Sequence, residues 1–126
     1  ATNMALHYAM DRKTFGKAIA EHQAIQLKLA EMSTRAAAAE LLVHQAADKF
    51  DRRERCDLEA GQAKFFASEA AVQNSLDAMR VFGGYSYSPE YEIERFYRDA
   101  PLLCIGEGTN EIQRMIIAKQ MVARAS

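Results

Sequence analysis

The sequence has few cysteines and no long hydrophobic run. Its two cysteines, Cys56 and Cys104, lie in unrelated contexts without CxxC spacing. This argues against a zinc site or a disulfide framework and fits a reducing compartment. No apolar run approaches the roughly 20 residues that span a bilayer, and the first residues lack the layout of a secretory signal. We therefore expect no membrane partner.

An excess of positive charge is also absent. Sixteen basic and seventeen acidic residues leave a net charge of −1, so no positive potential is available to hold a phosphate backbone. We expect no nucleic-acid partner. Hydrophobic residues make up 49% of the chain and charged residues 26%, as in soluble globular domains. The length of 126 residues suits one domain with a real core.

One long helix is predicted between Glu21 and Phe50. Apolar and small residues recur there at alternating steps of four and three, at Ile25, Leu29, Met32, Ala36, Ala39, Val43, Ala46 and Phe50. This pattern indicates one stripe along a helix about 45 Å long. The alanines of the stripe allow a neighbouring helix to approach closely, and we expect that neighbour to be antiparallel.

Other helices are predicted on both sides of this one. Residues 1–10 are typical of a helix without an N-cap, as at the end of a longer helix. After a charged turn at 51–55, a second long helix is predicted from about Leu58 to Val81, with its buried face marked by alanines and by Phe65, Val72 and Met79. The pair Gly83-Gly84 is expected to end it.

Two shorter helices complete the prediction. Ser88 as N-cap and Pro89 as first helical residue predict a helix that ends near Asp99, before Pro101. The last helix is predicted to begin around Thr109. Nothing in the pattern indicates a strand, so the expected fold is an all-α, antiparallel helical bundle of the four-helix-bundle kind.

Two segments resemble the acyl-CoA dehydrogenase family. GEGTNEIQR (106–114) resembles a signature near the C-terminus of these enzymes, and DRKTFGKAIAEHQAIQ (11–26) resembles their flavin-contacting segment. Between them AKFFASEAA (63–71), FGGYSY (82–87) and EYEIERFYRDA (90–100) are similar to family segments and follow the family order. The resemblance covers essentially residues 1–126 as the family's C-terminal helical domain. It implies an N-terminal helical domain and a middle β domain upstream.

Glu107 is the candidate catalytic residue. It stands between Gly106 and Gly108, just before a predicted helix, and glycines allow close approach of the backbone to a ligand. The resemblance implies that Glu107 removes the α-proton of an acyl-CoA thioester, a role that requires an oxygen base within hydrogen-bond reach. From the residues alone, a solvated glutamate favoured by the helix dipole is the alternative.

The resemblance also implies contacts to FAD. Arg12 is a fixed cation with several donors, suited to a pyrophosphate. The implied cofactor contacts are Arg12, Thr14, Phe15, His22, Gln23, Arg80, Gly83, Gly84, Thr109 and Glu111. Ordinary structural roles are the alternatives: a surface charge for Arg12, core packing for Phe15, a polar loop position for His22, and helix termini for Gly83, Gly84, Thr109 and Glu111. For Tyr85 only loop or interface packing is expected.

Two positions depart from the family pattern. Arg80 stands where members often have glutamine, which puts one specific hydrogen bond in doubt and offers a charge instead. Gly106 stands where straight-chain members commonly carry tyrosine. With Gly108 it is expected to lie at the acyl-CoA site, in a wider pocket beside the α-carbon that suits branched or bulky acyl groups.

The implied function is FAD-dependent dehydrogenation of an acyl-CoA, as in fatty-acid β-oxidation. The implied partners are a second subunit in a homodimer or homotetramer and an electron-transfer flavoprotein as acceptor, in the bacterial cytoplasm or the mitochondrial matrix. An acyl-CoA oxidase and a non-catalytic helical module for oligomerisation or partner binding remain alternatives. We expect no metal site, because His7 and His44 lack acidic or cysteine partners at ligand spacing.

Overall fold

The computed structural model describes residues 1–126 and contains five α-helices. They are α1 (Thr2–Asp11), α2 (Gln23–Asp51), α3 (Asp57–Phe82), α4 (Ile93–Ile105) and α5 (Asn110–Ala125). Single 3-10 turns, Ile19–Glu21 and Gly83–Tyr87, precede α2 and follow α3. The all-α bundle is confirmed. None of the helices is both long and apolar enough to cross a membrane.

A small hairpin departs from the expectation of no strand. Strand β1 (Lys13–Thr14) pairs antiparallel with β2 (Lys17–Ala18). Phe15 and Gly16 form the turn between them, with φ of 50° and 80°. Positive φ at both central residues matches the twist of a two-residue hairpin. Strands of two residues are too short to produce a period-2 pattern in the sequence.

The two long helices α2 and α3 lie antiparallel, as expected. Lys49 near the end of α2 bonds to Glu59 near the start of α3, and Arg35 bonds to Asp77 near the end of α3. With 29 residues, α2 has the predicted length. Because α3 also contacts α1, α4 and α5, it is the central helix of the bundle.

The stripe predicted on α2 is correct only in its first half. Met32 is fully buried, and it belongs to a core shared with α1, α3 and the first residue of α4. In the second half Val43 is 46% and Phe50 is 72% exposed. Only α3, α1 and the turn Ile19–Glu21 contact α2 extensively. The core formed with α1 and that turn lies at its first half, so fewer neighbours remain to cover the second.

The buried face of α3 is more polar than predicted. Ala63 and Ala70 are buried as expected, whereas Phe65, Val72 and Met79 are only half-buried. The fully buried positions of α3 include the polar residues Glu59, Ser68, Asn74, Ser75 and Asp77. Every buried side-chain nitrogen and oxygen has a hydrogen-bond partner. Apolar periodicity misses these positions because their burial depends on partners from other helices.

Asp77 is the centre of one such polar cluster. It accepts hydrogen bonds from Arg35, Gln73 and Arg80, and its side chain is 3% exposed. Arg35 also donates to Asn74 Oδ1 at 2.7 Å. Burial raises the pKa of Asp77, but the hydrogen bonds from Gln73, Arg35 and Arg80 outweigh it, so the pKa is below its ordinary value. The cluster joins the middle of α2 to the end of α3.

Glu59 forms a second polar connection. Its carboxylate accepts two hydrogen bonds from Arg124, at 2.7 and 2.9 Å, and one from Lys49 at 2.7 Å. These bonds, from Arg124 first and then Lys49, hold the pKa of Glu59 far below its ordinary value. The bidentate pair fixes the end of α5 against the beginning of α3.

The predicted bounds of α4 are wrong. Residues 88–92 form turns, in which Ser88 Oγ accepts from Glu90 N at 3.3 Å. The helix then begins at Ile93 and continues through Pro101 to Ile105. Proline inside a helix removes one backbone hydrogen bond and is costly. Burial of Ile93 and Ala100 on the same helix offsets this cost, since they are 0% and 5% exposed.

Candidate functional site

A groove of about 590 Å³ lies between the end of α1, the hairpin and the end of α3. Five of the predicted cofactor contacts line it: Arg12, Thr14, His22, Gly83 and Gly84. The remaining wall is mostly apolar and aromatic and consists of Tyr8, Ile19, Ile25, Val81, Phe82 and Tyr85. The fold thus brings together residues that are about 60 to 70 positions apart in the sequence.

The polar and aromatic groups of this groove are ordered by contacts with one another. The Arg12 guanidinium lies 5.2 Å from the centre of the Tyr85 ring, within the range of a cation–π interaction. Thr14 Oγ1 and His22 Nε2 share a hydrogen bond of 3.0 Å. Tyr8 stacks on Phe82 with ring centres 4.1 Å apart. A cation beside flat aromatic surfaces suits a ligand that carries both a phosphate and an aromatic ring.

The two glycines contribute bare backbone to the same groove. Gly83 ends α3 with φ of 63°, a conformation that favours glycine, so its predicted role as helix terminator is confirmed. Gly84 does not have positive φ. A Cβ at Gly84 would meet no protein atom within 4 Å. The backbone therefore does not require glycine there, and the missing side chain leaves open space for a ligand.

We predict that Gly84→Ala leaves the fold intact but weakens FAD binding. The added methyl group has room within the protein but would occupy the space that the resemblance assigns to FAD. Fluorescence titration of the full-length apoprotein with FAD is expected to show a dissociation constant raised about tenfold, a loss of roughly 1.4 kcal/mol. Gly16→Ala is a less informative control, because alanine would be strained at the φ of 80° that Gly16 adopts. The control is Ala37→Gly, at an exposed position of α2, which should leave FAD affinity unchanged. Equal affinities in Gly84→Ala and wild type would contradict the prediction.

Five predicted cofactor contacts do not line the groove, and three of them, Phe15, Gln23 and Arg80, lie elsewhere on the hairpin, on α2 and on α3. Phe15 lies at the tip of the hairpin and is 97% exposed, so core packing within this chain is excluded for it. Gln23 is exposed at the start of α2. Arg80 donates to Asp77 Oδ1 at 3.0 Å, so its charge is partly engaged inside the bundle. Phe15 and Gln23 are thus exposed on the surface of this chain.

The second cluster is the loop between α4 and α5. Gly106 ends α4, with its N–H donating to Leu102 O at 2.8 Å. Glu107 and Gly108 then have φ of 55° and 82°. Positive φ in a non-glycine residue costs of the order of 1 kcal/mol and persists only where the surroundings hold it. The Glu107 side chain is exposed, and its backbone N–H donates to no protein acceptor.

The start of α5 has the predicted cap. Thr109 Oγ1 accepts from Ile112 N at 3.4 Å, so Thr109 is the N-cap. Glu111 lies in the first turn, where its own backbone N–H, followed by the Thr109 hydroxyl, lowers the pKa of its carboxyl. Both residues therefore have the structural roles expected from the sequence. They lie beside Glu107 and not in the groove, so these two predicted contacts are separate from the five that line the groove.

Some residues near these clusters were not predicted from the sequence. Tyr8 and Tyr85 line the groove, although the FGGYSY segment indicated only packing for Tyr85. Lys64 and Asn110 lie beside the loop and are joined by a hydrogen bond of 2.7 Å. The only sequence signal for Asn110 was its place directly after Thr109. A larger, mostly apolar groove of about 770 Å³ between α2, α3 and α4 contains none of the predicted site residues.

The bundle, the groove and the strained loop together define an all-α domain that combines a nucleotide-sized site with a glutamate on a glycine-flanked loop. Residues 1–122 match the model of the acyl-CoA dehydrogenase C-terminal domain. The chain belongs to the acyl-CoA dehydrogenase family, which confirms the resemblance seen in the sequence.

Three relatives illustrate the match. The acyl-CoA dehydrogenase of Bacillus subtilis is 51% identical over 122 residues, which are 97% of this chain and 32% of the relative. Cyclohexane-1-carbonyl-CoA dehydrogenase of Geobacter metallireducens is 43% identical over 126 residues, which are 100% of this chain and 33% of the relative. The caffeyl-CoA reductase-Etf complex subunit CarC of Acetobacterium woodii is 42% identical over 124 residues, covering 98% and 33%. The chain therefore spans about a third of the length of these relatives.

Solved structures agree with this assignment. Butyryl-CoA dehydrogenase from Megasphaera elsdenii superimposes with a TM-score of 0.94 at 38% identity, over 96% of this chain and 32% of that one. The FAD complex of PigA superimposes with a TM-score of 0.93 at 32% identity, over 98% of this chain and 32% of the PigA chain. The fold of the helical domain is thus shared along nearly its whole length.

Proposed function

We propose that this chain is the C-terminal domain of an FAD-dependent acyl-CoA dehydrogenase in which Glu107 is the catalytic base. The observation that carries the proposal is the backbone of Glu107, held at φ of 55° between two glycines. Strained backbone conformations cluster at active sites and ligand-binding sites. Residues 1–126 supply the base, and the proposed upstream domains, one helical and one β, supply the rest of the site.

The proposed reaction removes two hydrogens from adjacent carbons of the acyl group. The Glu107 carboxylate takes the α-proton, and the electron pair of that C–H bond forms the new Cα–Cβ double bond as the β-hydrogen leaves with its own electron pair. FAD, when bound, accepts that hydride. The N–H of Glu107, free of protein acceptors, is available to bond the thioester oxygen and stabilise enolate charge.

The groove is the proposed contact for part of FAD. Arg12 fits the pyrophosphate, and the aromatic walls and the bare backbone of Gly83 and Gly84 fit a flat ring. Because the groove and the Glu107 loop are separate, we propose that the two sets serve different copies of the cofactor. Arg12, Thr14 and Phe15 would then contact FAD bound mainly by a partner subunit, in a homodimer or homotetramer. PigA, whose FAD complex shares this fold, supports the choice of cofactor.

For the substrate we propose a branched or ring-bearing acyl-CoA. Gly106 has φ of −68°, which any residue adopts, so its backbone does not require glycine. The absence of a tyrosine side chain at this position is proposed to widen the pocket next to the base. The names of two relatives, cyclohexane-1-carbonyl-CoA dehydrogenase and caffeyl-CoA reductase, indicate ring-bearing acyl groups for those proteins, which supports this choice.

Gly106→Tyr tests the substrate proposal. A Cβ at this position meets the backbone oxygen Leu102 O at 3.3 Å, so the chain must move by a few tenths of an ångström to accept it, and the ring would fill the space beside the α-carbon. We expect kcat/KM for cyclohexanecarbonyl-CoA to fall about a hundredfold relative to butyryl-CoA, since such steric exclusion is worth roughly 1–3 kcal/mol. Steady-state assays of both substrates measure the ratio. A wild-type enzyme that prefers butyryl-CoA to every branched or cyclic thioester would rule out the proposal.

An electron-transfer flavoprotein is the proposed electron acceptor. The subunit from Acetobacterium woodii belongs, by name, to a complex with Etf, and this supports the proposal. The bacterial cytoplasm and the mitochondrial matrix are the compartments that suit such a partner. An acyl-CoA oxidase differs in its acceptor, so rapid reoxidation of the reduced enzyme by oxygen would favour the oxidase instead.

The decisive experiment is an anaerobic titration of the full-length protein. Addition of straight, branched and cyclic acyl-CoAs is expected to bleach the flavin absorbance, and the extent and rate rank the substrates. Purification without flavin, or a yellow protein that no acyl-CoA bleaches, would contradict the proposal. That result would favour the non-catalytic oligomerisation module.

A further inference from the structure

We infer that Lys64 and Asn110 are positioning residues that hold the Glu107 loop in its reactive conformation. This inference rests on the proposed role of Glu107 as base. It assigns a function to a buried polar cluster on α3 that neither the groove nor the proposed chemistry uses. Neither residue touches the reacting atoms in the proposed reaction; both act through the backbone of the loop.

Lys64 joins the two ends of the loop. From the middle of α3, its ammonium group donates to Cys104 O at 3.3 Å, before the loop, and to Asn110 Oδ1 at 2.7 Å, after it. Glu107 lies between these two attachment points. A single cation therefore fixes the distance between the last turn of α4 and the first turn of α5.

Asn110 is held firmly enough to transmit this restraint. It is 2% exposed, and its Nδ2 donates to Ser68 Oγ at 2.9 Å and to Glu69 Oε1 at 2.8 Å. With Lys64 on its Oδ1, the amide bonds to three side chains of α3. A buried polar network whose members are all satisfied favours one conformation.

The partners of Lys64 indicate its role. Its ammonium donates hydrogen bonds to two neutral oxygens, Cys104 O and Asn110 Oδ1. The pKa of the Glu111 carboxyl is lowered first by its own backbone N–H, and the charge of Lys64 helps to lower it. The two bonds of Lys64 attach to residues on either side of the strained Glu107–Gly108 segment, and this placement favours a role in holding the loop.

Gln113 adds a restraint inside the loop. Its Nε2 donates to Glu107 O at 3.3 Å, and the same nitrogen lies 3.1 Å from where a Cβ of Gly108 would stand. The loop is thus held at both ends by Lys64 and Asn110 and at Glu107 by Gln113. A base on such a loop keeps its position relative to the substrate, and displacement by about 1 Å can cost a hundredfold in rate.

The test compares Lys64→Met, Lys64→Arg and Lys119→Met in the full-length holoenzyme. Stopped-flow absorbance under anaerobic conditions gives the limiting rate of flavin reduction per bound FAD and the half-saturating acyl-CoA concentration. For Lys64→Met we expect the limiting rate to fall about 10- to 100-fold, with half-saturation changed less than about twofold. Lys64→Arg, which keeps the charge and donors, should restore most of the rate. Lys119, which is exposed on α5, is the matched control.

Asn110→Ser is the second variant, in case Lys64→Met does not fold. Its shorter side chain breaks the bond to Lys64, and the same loss of limiting rate is expected. A wild-type rate per bound FAD in either variant, or a loss confined to FAD content or stability, would overturn the inference. Glu107→Gln is measured in parallel. If the flavin of Glu107→Gln is reduced at the wild-type rate, the proposed function itself fails. If flavin reduction is slow in Glu107→Gln but as fast as wild type in Lys64→Met, only the positioning role is rejected.

Discussion

Glu107→Gln in the full-length protein is expected to reduce flavin bleaching by acyl-CoA by about a thousandfold or more, while FAD stays bound. The amide has nearly the shape of the carboxylate and leaves the backbone N–H in place, so substrate binding is preserved. It does not accept the α-proton at neutral pH, and loss of a general base removes about 10²- to 10⁴-fold in rate. Anaerobic stopped-flow absorbance measures the bleaching, and the flavin-to-protein ratio measures FAD retention.

The matched control for this prediction is Glu40→Gln, at an exposed position of α2. It should bleach at the wild-type rate. A Glu107→Gln protein that bleaches within tenfold of wild type would show that the base lies elsewhere. A protein that loses its flavin would instead indicate that Glu107 contributes to the cofactor site.

The long elements could be predicted from the sequence because their signals are local. Apolar spacing predicts the course of α2 and α3, the charged turn at 51–55 separates them, and Gly83 ends α3. Each of these signals lies within a few residues of the feature that it predicts. Thr109 as N-cap is similarly local. The prediction failed for α4, where Pro101 lies inside the helix. Packing of Ile93 and Ala100 against the bundle offsets the missing bond there, and no pattern around Pro101 indicates that packing.

The site was predicted less completely than the fold, for a comparable reason. Arg12 and Gly83 were identified through family resemblance, but the groove that joins them depends on how α1 and α3 pack. The aromatic wall of Tyr8 and Tyr85 exists only after that packing. Likewise, Lys64 bonds to Cys104 and Asn110, which lie 40 and 46 positions further along the chain. Contacts over such distances leave no periodic signal in one sequence.

Asp77→Ala is expected to cause the largest loss of stability in the bundle. The carboxylate is buried and accepts bonds from Arg35, Gln73 and Arg80. Its removal leaves a void, and Arg35, whose side chain is 24% exposed, keeps only Glu31 at 3.8 Å and Asn74 as partners. Removing one partner of a buried pair costs about 3–5 kcal/mol. Because Arg35 is partly solvated, we expect about 3 kcal/mol, measured by urea unfolding of the domain followed by circular dichroism.

A double-mutant cycle separates the ion pair from the void. Arg35→Met alone leaves Asp77 with Gln73 and Arg80, and the double variant should be less destabilised than the sum of the two single variants, since the shared interaction is lost only once. Asp48→Ala, at an exposed position of α2, is the control and should change the unfolding free energy by less than about 0.5 kcal/mol. Additive single losses would show that Arg35 and Asp77 are not coupled.

The pH dependence of Asp77→Ala gives a second, independent check. The pKa of Asp77 is lower in the folded chain than its ordinary value of 3.8, so the folded state prefers the ionised carboxylate. Its contribution is then complete above the unfolded pKa and is lost as the pH falls through the lower, folded pKa. The difference in unfolding free energy between wild type and Asp77→Ala should therefore be constant near neutral pH and shrink below about pH 4. If the difference in unfolding free energy grew on acidification, the buried carboxyl would be protonated in the native bundle. The end of α3, which lines the groove, would then be held by packing and not by charge.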